Sequence, residues 1–313
     1  MSWAEGFYFG QCKLECKSYL LFDIGKTVKV TNGAMTWTKV LGEDLVVVFA
    51  LPGTNKYTVS LIEEGDESEY TEDVVLGYGE YKIMNIGYGK KSIQGIQNIL
   101  NAHKEEILNI GDEISLTLSN GVGMVYQIGG INIYNDHDAV FVPKWLYPYT
   151  MQMNNSKTNV GGFKSMSLYR WLQNDYFSLL PKEAKELIVY TKQYIINSNN
   201  VGAQGGATET IGKIFFPTEW ELFGKQIHAL ESEHKANNSL QWPIFATENN
   251  RIRNLGEDGM PRAYWESSPT TLTPSDAGLF CSVTAGGGSY INIATDELGI
   301  LPCFRLMESE VNA

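Results

Sequence analysis

Thr27-Val28-Lys29-Val30-Thr31-Asn32-Gly33-Ala34-Met35-Thr36-Trp37-Thr38-Lys39-Val40 is two β-rich runs separated by an Asn-Gly break. β-Branched and aromatic residues fit a pleated, half-buried surface, and Asn-Gly supplies the turn between two such runs. The same rhythm continues outward. Leu45–Leu51 is closed by Pro52-Gly53, and Tyr57–Ile62, Val74-Val75-Leu76 and Tyr81–Met84 follow. Turn signals at a spacing of roughly 8–12 residues predict a small β-sandwich over residues 7–88. Upstream, Cys12 and Cys16 fall in a further strand, where four residues of extended chain hold them about 13 Å apart, too far for a disulfide. Between two of the strands lies an acidic stretch with Glu63, Glu64, Asp66, Glu67, Glu69, Glu72 and Asp73. It lacks the glycine and the ligand spacing of a calcium loop and reads as a solvated hairpin tip.

The period changes after residue 91. Ile93, Ile96, Ile99 and Leu100 recur at helical spacing, with Ile107 and Leu108 beyond them. This predicts a connector helix over 92–109, capped by Ser92 and ended by Gly111. Strands return at Glu113–Leu118, Val125–Ile128, Ile131–Tyr134 and Ala139–Val142. Helices are predicted over 164–173 and, opened by Pro181, over 181–194. Asn197–Thr210 reads as a polar loop. Lys213-Ile214-Phe215-Phe216 reads as a strand running into a helix that starts at Pro217-Thr218-Glu219. Beyond 243 the chain mixes strands with loops rich in Asn, Gly, Ser and aromatics. The sequence therefore divides into 1–90 and 91–313, the two domains expected of 313 residues.

Composition excludes several function classes. Hydrophobic residues make up 43% and charged residues 19%, enough to bury a core. Lys and Arg number 24 against 36 Asp and Glu, a formal net charge of -12. Nucleic acid and anionic membranes are bound through basic residues, so neither is an expected partner. The opening Met1-Ser2-Trp3-Ala4-Glu5-Gly6 has no secretory n-region, and no apolar run is long enough to span a bilayer. Four cysteines are too few for a disulfide framework in a chain of this length and read as packing thiols.

Catalytic patterns are missing. The chain has no Gly-x-Ser-x-Gly elbow, no phosphate-binding loop and no His-Glu-x-x-His. His228 and His234 lie six apart, the wrong interval for two ligands on one helix face. Asp136-His137-Asp138 reads as a polar turn, and Gly286-Gly287-Gly288 as a tight turn before Tyr290-Ile291-Asn292-Ile293. No catalytic residue, metal ligand or cofactor site is assigned. What remains is the composition of a binding face: Asn249, Asn250, Arg251, Arg253, Tyr264, Trp265, Tyr290 and Asn292. Such residues stack on sugars and form adaptable hydrogen bonds. Trp265 and Tyr290 also read as core aromatics, and the Asn pair as ordinary loop formers.

Seven landmarks in order carry a resemblance. They begin with Ile110–Leu116, Met153–Phe163 and Ser167–Leu172 with Leu179-Leu180-Pro181. Lys213–Gly224, Tyr264–Pro269, Phe280–Val283 and Gly299–Leu306 complete the series. Together they make residues 93–306 resemble a domain of unknown function common in phage and prophage virion proteins of gut Firmicutes. Its relatives are the formylglycine-generating-enzyme and C-type-lectin-like folds. The resemblance implies an α+β C-type-lectin-like (formylglycine-generating-enzyme-like) C-terminal domain. The β-rich N-terminal part resembles the small immunoglobulin-like sandwich that precedes such domains in tail and fibre proteins.

Three departures matter. Glu266 stands where the family usually has Arg, so another partner must hold this turn. Cys281 and Cys303 lack the close spacing of the oxidase's copper-binding pair. The Glu-Pro-Asn, Gln-Pro-Asp and Trp-Asn-Asp signatures of calcium-dependent lectins do not occur. The implied function is that of a phage virion structural protein of the tail or a fibre. The N-terminal domain would join other virion proteins, and the C-terminal domain would meet a host-surface glycan or protein. A homo-oligomer is expected, a trimer being the state that suits a fibre. The alternatives are a capsid decoration or head-fibre protein and, further off, a polysaccharide-acting enzyme.

Overall fold

The computed structural model describes residues 11–18, 26–44, 46–52, 55–62, 70–77, 79–85, 92–196, 207–229, 233, 241–270 and 278–309. The chain forms two compact units, Met1–Ile99 and Leu100–Ala313. The sequence placed the division at 90/91.

Among the described residues, the first unit has seven strands: β1 (Gln11–Lys17), β2 (Thr27–Thr31), β3 (Thr36–Val40), β4 (Val46–Pro52), β5 (Asn55–Ile62), β6 (Tyr70–Leu76) and β7 (Tyr81–Asn85). They form a three-stranded sheet, β4-β1-β7, and a four-stranded sheet, β3-β2-β5-β6. The two sheets contribute to one core. Cys12, Leu14, Cys16, Val47, Phe49 and Leu51 come from one sheet, and Val28, Val30, Tyr57, Val59, Leu61 and Val74 from the other. Alternation decides which side chains go in: along β2 and β4 every second residue is buried. The Asn32-Gly33 turn joins β2 to β3, with Gly33 at φ +86 and the Asn32 side chain accepting from the N–H of Ala34 and Met35. Of the acidic stretch, residues 63–69 lie outside the described ones. Asp73 is not in a loop but in β6, paired with Lys56 at 2.6 Å.

Helix α1 (Ile93–Asn101) has the expected cap, with Ser92 Oγ accepting from the Gly95 N–H at 3.0 Å. It is shorter than the sequence predicts. His103 takes a left-handed backbone, φ +52, and its N–H returns to the Leu100 carbonyl. Only one 3-10 turn, Glu105–Ile107, continues toward 109.

The second unit is also β-rich. A four-stranded antiparallel sheet, β18-β10-β9-β8, is built from β8 (Glu113–Thr117), β9 (Gly123–Ile131), β10 (Asp138–Pro143) and β18 (Phe304–Met307). A five-stranded mixed sheet, β11-β17-β14-β15-β16, uses β11 (Tyr147–Gln152), β14 (Tyr264–Pro269), β15 (Leu279–Val283), β16 (Ser289–Ile293) and β17 (Glu297–Ile300). β12 (Thr191–Ile196) and β13 (Ala207–Gly212) pair alone. The helices are short: α2 (Ser167–Trp171), α3 (Phe177–Leu179), α4 (Lys182–Leu187) and α5 (Glu219–Phe223). A π turn over Leu172–Tyr176 makes α2 and α3 one helical segment. No helix among the described residues is long and apolar enough to cross a membrane.

Several elements of the second unit differ from the sequence expectation. The strand expected at 125–128 is the longer β9, which ends at Ile131 and carries Gly129 as a bulge opposite β10, while residues 132–134 of the second expected strand belong to the turn that follows. A Cβ on Gly129 would stand 2.5 Å from Val142 Cγ2, so only glycine passes there. The helix expected over 181–194 stops at Leu187. The residues that follow are rich in Thr, Tyr and Ile, and pair with β13 from Thr191↔Gly212 to Ile196↔Ala207. The polar loop expected at 197–210 is described only from 207, where β13 begins. Lys213–Phe216 joins no sheet. Phe215 and Cys303 exchange one pair of backbone bonds, and the Lys213 N–H donates to the Gln173 side chain at 2.8 Å.

Candidate functional site

The eight candidate residues separate into three groups. Tyr264 and Trp265 open β14 and are fully buried. The Trp265 indole N–H donates to the Met151 carbonyl at 2.8 Å, and the Tyr264 hydroxyl to the Arg251 carbonyl at 2.9 Å. All six residues of β14 are buried, the behaviour of a strand covered on both faces. These two aromatics are therefore core residues and not part of a binding face. Burial pushes the Tyr264 phenol far up, so it stays neutral. Asn292 is likewise engaged: it accepts from Ser282 Oγ at 2.8 Å and donates to Asp296 at 3.1 Å. Tyr290 stands 56% exposed on β16.

The third group is brought together. A 3-10 turn, Pro243–Phe245, is followed by another, Asn249–Arg251. Arg251 fixes both. Its Nη1 donates to the Phe245 carbonyl at 2.7 Å and its Nε to the Gly287 carbonyl at 3.0 Å, and the guanidinium lies 4.6 Å over the Phe223 ring. Gly287 belongs to the Gly-rich turn joining β15 to β16, as the sequence predicts. With φ +85 and a would-be Cβ 2.4 Å from the Glu248 carbonyl oxygen, it admits no side chain. Arg251 is thus a clamp inside the fold rather than a ligand contact.

Held this way, Asn249, Asn250 and Arg253 line a cavity of about 350 Å³ together with Pro243 and Ile244. Ile110, Gly111 and Gln127 form the rest of the lining. Asn249 and Asn250 are exposed, and their side-chain amides make no hydrogen bond with the described residues. Arg253 is only 7% exposed. Its Nη1 donates to the Ile252 carbonyl at 3.1 Å and its guanidinium lies 5.6 Å from the Phe245 ring. Nε and Nη2 have no hydrogen-bond partner, and no salt bridge involves this residue among the described ones. Burial lowers the Arg253 pKa, opposed by Tyr264 and Cys303. A guanidinium stays protonated in a protein, so the wall carries a fixed positive charge. Two free amides, each with donors and an acceptor, beside that charge suit a ligand rich in hydroxyl and carbonyl oxygens.

Gln127 is a lining residue that the sequence does not mark as one. The one available signal was that a polar residue interrupts the apolar run Met124–Ile131, which placed it on a strand face but not beside residues 249–253.

Two groups of metal-ligating side chains occur among the described residues. In the first, His103 and His137 stack with ring centres 3.7 Å apart, and each pairs with a carboxylate of its own, Glu308 and Glu105. The second is Glu219, Glu266 and Cys281. Asp136-His137-Asp138 is the polar turn expected. Asp138 is fully buried and accepts from the N–H of Ile133, Tyr134 and Asn135, and it pairs with Arg305 at 3.1 Å. His228 lies in a bend whose N–H groups hold Glu219, and His234 lies outside the described residues.

The family described as a domain of unknown function, DUF6273, matches residues 137–308, more than half of the chain. No curated protein matches. Among solved structures, the Bacillus anthracis TIE protein is similar with a TM-score of 0.19 and 13% identity, over 25% of this chain. The matched part spans 16% of that protein's length.

Proposed function

The chain belongs to the DUF6273 family, and from that premise we propose that it is a phage virion structural protein that recognises the host surface. The first unit, read as an immunoglobulin-like sandwich, joins it to other virion proteins of the tail or a fibre. The second, read as a C-type-lectin-like domain, binds a host-surface glycan. The observation that carries the binding role is the cavity whose lining combines the free amides of Asn249 and Asn250 with the side chain of Arg253, a largely buried guanidinium with no carboxylate partner among the described residues. Sugar hydroxyl and acetamido oxygens pair with the amides, and an electron-rich oxygen is drawn toward the positive wall. Each neutral hydrogen bond adds about 0.5–1.5 kcal/mol, so a single site is weak. Copies of the chain on one particle, as a trimer on a fibre, multiply that affinity.

The test is adsorption. Purified chain is incubated with host cells and with their isolated surface glycan. The double variant Asn249→Ala, Asn250→Ala is expected to bind at least roughly fivefold more weakly, two lost hydrogen bonds' worth, with unchanged thermal stability. Unchanged adsorption would remove the cavity from the proposal. Immunogold electron microscopy of lysate particles tests the location. Label on tails or fibres supports the reading, label on heads replaces it with capsid decoration, and particles without label overturn both.

A further inference from the structure

Glu219, Glu266 and Cys281 place two carboxylates and a thiol within 4.8 Å of one another, all fully buried. Three elements deliver them. Glu219 is the first residue of α5, whose start is set by a capping box between Thr218 and Glu221. Cys281 is the central residue of β15. Glu266 sits where the β14–β15 ladder slips: Trp265 faces Ser282, yet Pro269 faces Phe280. The intervening residues arch toward α5. The Ser267 N–H donates to the Pro217 carbonyl at 3.1 Å, and Ser268 Oγ accepts from the Glu219 N–H at 3.0 Å. The sequence expected Glu266 in a turn held by some other partner. It is instead part of a bulged strand.

The two carboxylates differ in their surroundings. Glu219 is locked, accepting from the N–H groups of Ile227, His228 and Ala229 at 2.8 Å each and from Ser289 Oγ at 3.3 Å. Among the described residues, neither oxygen of Glu266 has a hydrogen-bond partner. Buried carboxylates are almost always capped or paired, because an unsatisfied one gives up its hydration with nothing in return. Protonating Glu266 leaves the problem in place, since its O–H would need an acceptor. Burial, with Glu219 and Glu233 adding to it, pushes the Glu266 carboxyl well up, and Arg251 opposes the shift. The same burial and carboxylates push up the Cys281 thiol. Glu233 adjoins the group, accepting from Ser268 Oγ at 2.8 Å.

We propose that Glu219, Glu266 and Cys281 hold a divalent metal ion of the zinc class, which ties α5, the β14 bulge and β15 together. Two oxygens and a sulfur are a borderline-soft donor set, suited to zinc rather than to calcium or magnesium, which take oxygen donors in larger number. A cation between the three gives Glu266 the partner it lacks. Loading releases the Cys281 thiol proton and the Glu266 carboxyl proton to solvent, and no electron moves.

The full chain, dialysed against zinc or cobalt and desalted, tests this by elemental analysis and absorption spectroscopy. One metal ion per chain is expected, and the cobalt form should show a thiolate-to-cobalt charge-transfer band. Glu266→Gln and Cys281→Ser should lower metal affinity at least about tenfold, while Cys303→Ser keeps the band. Wild-type chain without stoichiometric metal, or a cobalt form without the thiolate band, would overturn the proposal. So would a Glu266→Gln variant that binds metal as the wild type does. If the variants do not fold, the wild-type cobalt spectrum decides alone.

Discussion

The two units use opposite means to fill an interior. In the first, β1, β2, β4 and β5 turn aliphatic and aromatic residues inward, and no carboxylate is buried among the described residues. In the second, Asp138, Glu219, Glu221, Glu233, Glu266, Arg253 and Arg305 are all buried. An apolar core is limited mainly by how completely it is filled. A core that holds charges is limited by whether each charge finds its partner. Glu221 shows the second rule met. Burial raises its pKa, but Tyr134, Thr218 and Gln193 all donate to it, pulling the other way. Glu266 and Arg253 show the rule unmet, and each lies in one of the two proposed binding sites.

The largest effects should come from the second unit's packed interior. Trp265→Ala is expected to destabilise by roughly 3–5 kcal/mol in denaturant titrations, since the whole indole and its bond to Met151 are lost. A change under about 0.5 kcal/mol would contradict its burial. Removing one partner of the Asp138–Arg305 pair leaves the other charge buried. Arg305→Ala should therefore cost roughly 3–5 kcal/mol, and replacing both by apolar residues should cost less. That inequality distinguishes a charge-partnered core from an apolar one. In the first unit, Leu14→Ala should cost roughly 2–5 kcal/mol through the cavity alone, with a loss independent of pH. A loss that varies with pH would break the contrast. Thr218→Ala removes the α5 cap and should cost about 0.5–2 kcal/mol.

The smallest effect is electrostatic. Glu105 is the main cause of a raised His137 pKa, helped by Glu308 and Asp136 and opposed by desolvation. A histidine raised above its unfolded value contributes stability that is complete below that value and lost as pH rises through the raised one. NMR titration should show the His137 ring titrating above the ordinary histidine range, and Glu105→Gln should bring it down. An unmoved titration would show that Glu105 is not the cause.

What was legible in the sequence was local. The Asn32-Gly33 turn, the Ser92 cap, the start of α5 at Pro217-Thr218-Glu219 and the Gly286–Gly288 turn are each decided by a few adjacent residues, and each lies where the sequence puts it. Lys213–Phe216 failed because its backbone partners, Gln173 and Cys303, lie about 40 and 90 residues away, beyond any local pattern. Trp265 was ambiguous because an aromatic beside Arg and Asn has the composition of a surface and of a core alike. The 249–253 half of the candidate face was legible from composition. Its other wall at Gln127 is not, because packing of the Pro243–Phe245 turn against β9, rather than sequence proximity, sets that neighbour. The Glu219, Glu266 and Cys281 cluster is assembled from three elements and leaves no signature in any one of them.

The slip between β14 and β15 has an arithmetic of its own. From Trp265 to Pro269 one strand advances four residues while its partner advances two. The excess is even, and strand faces alternate with period two, so side chains beyond the arch keep the orientation they would have in an unbroken ladder. A single-residue insertion would have turned the rest of the strand inside out. A dipeptide does not. This arch is therefore a change that a lineage can gain or lose in one step without remaking the sheet around it, carrying Glu266 into or out of the interior as it does so.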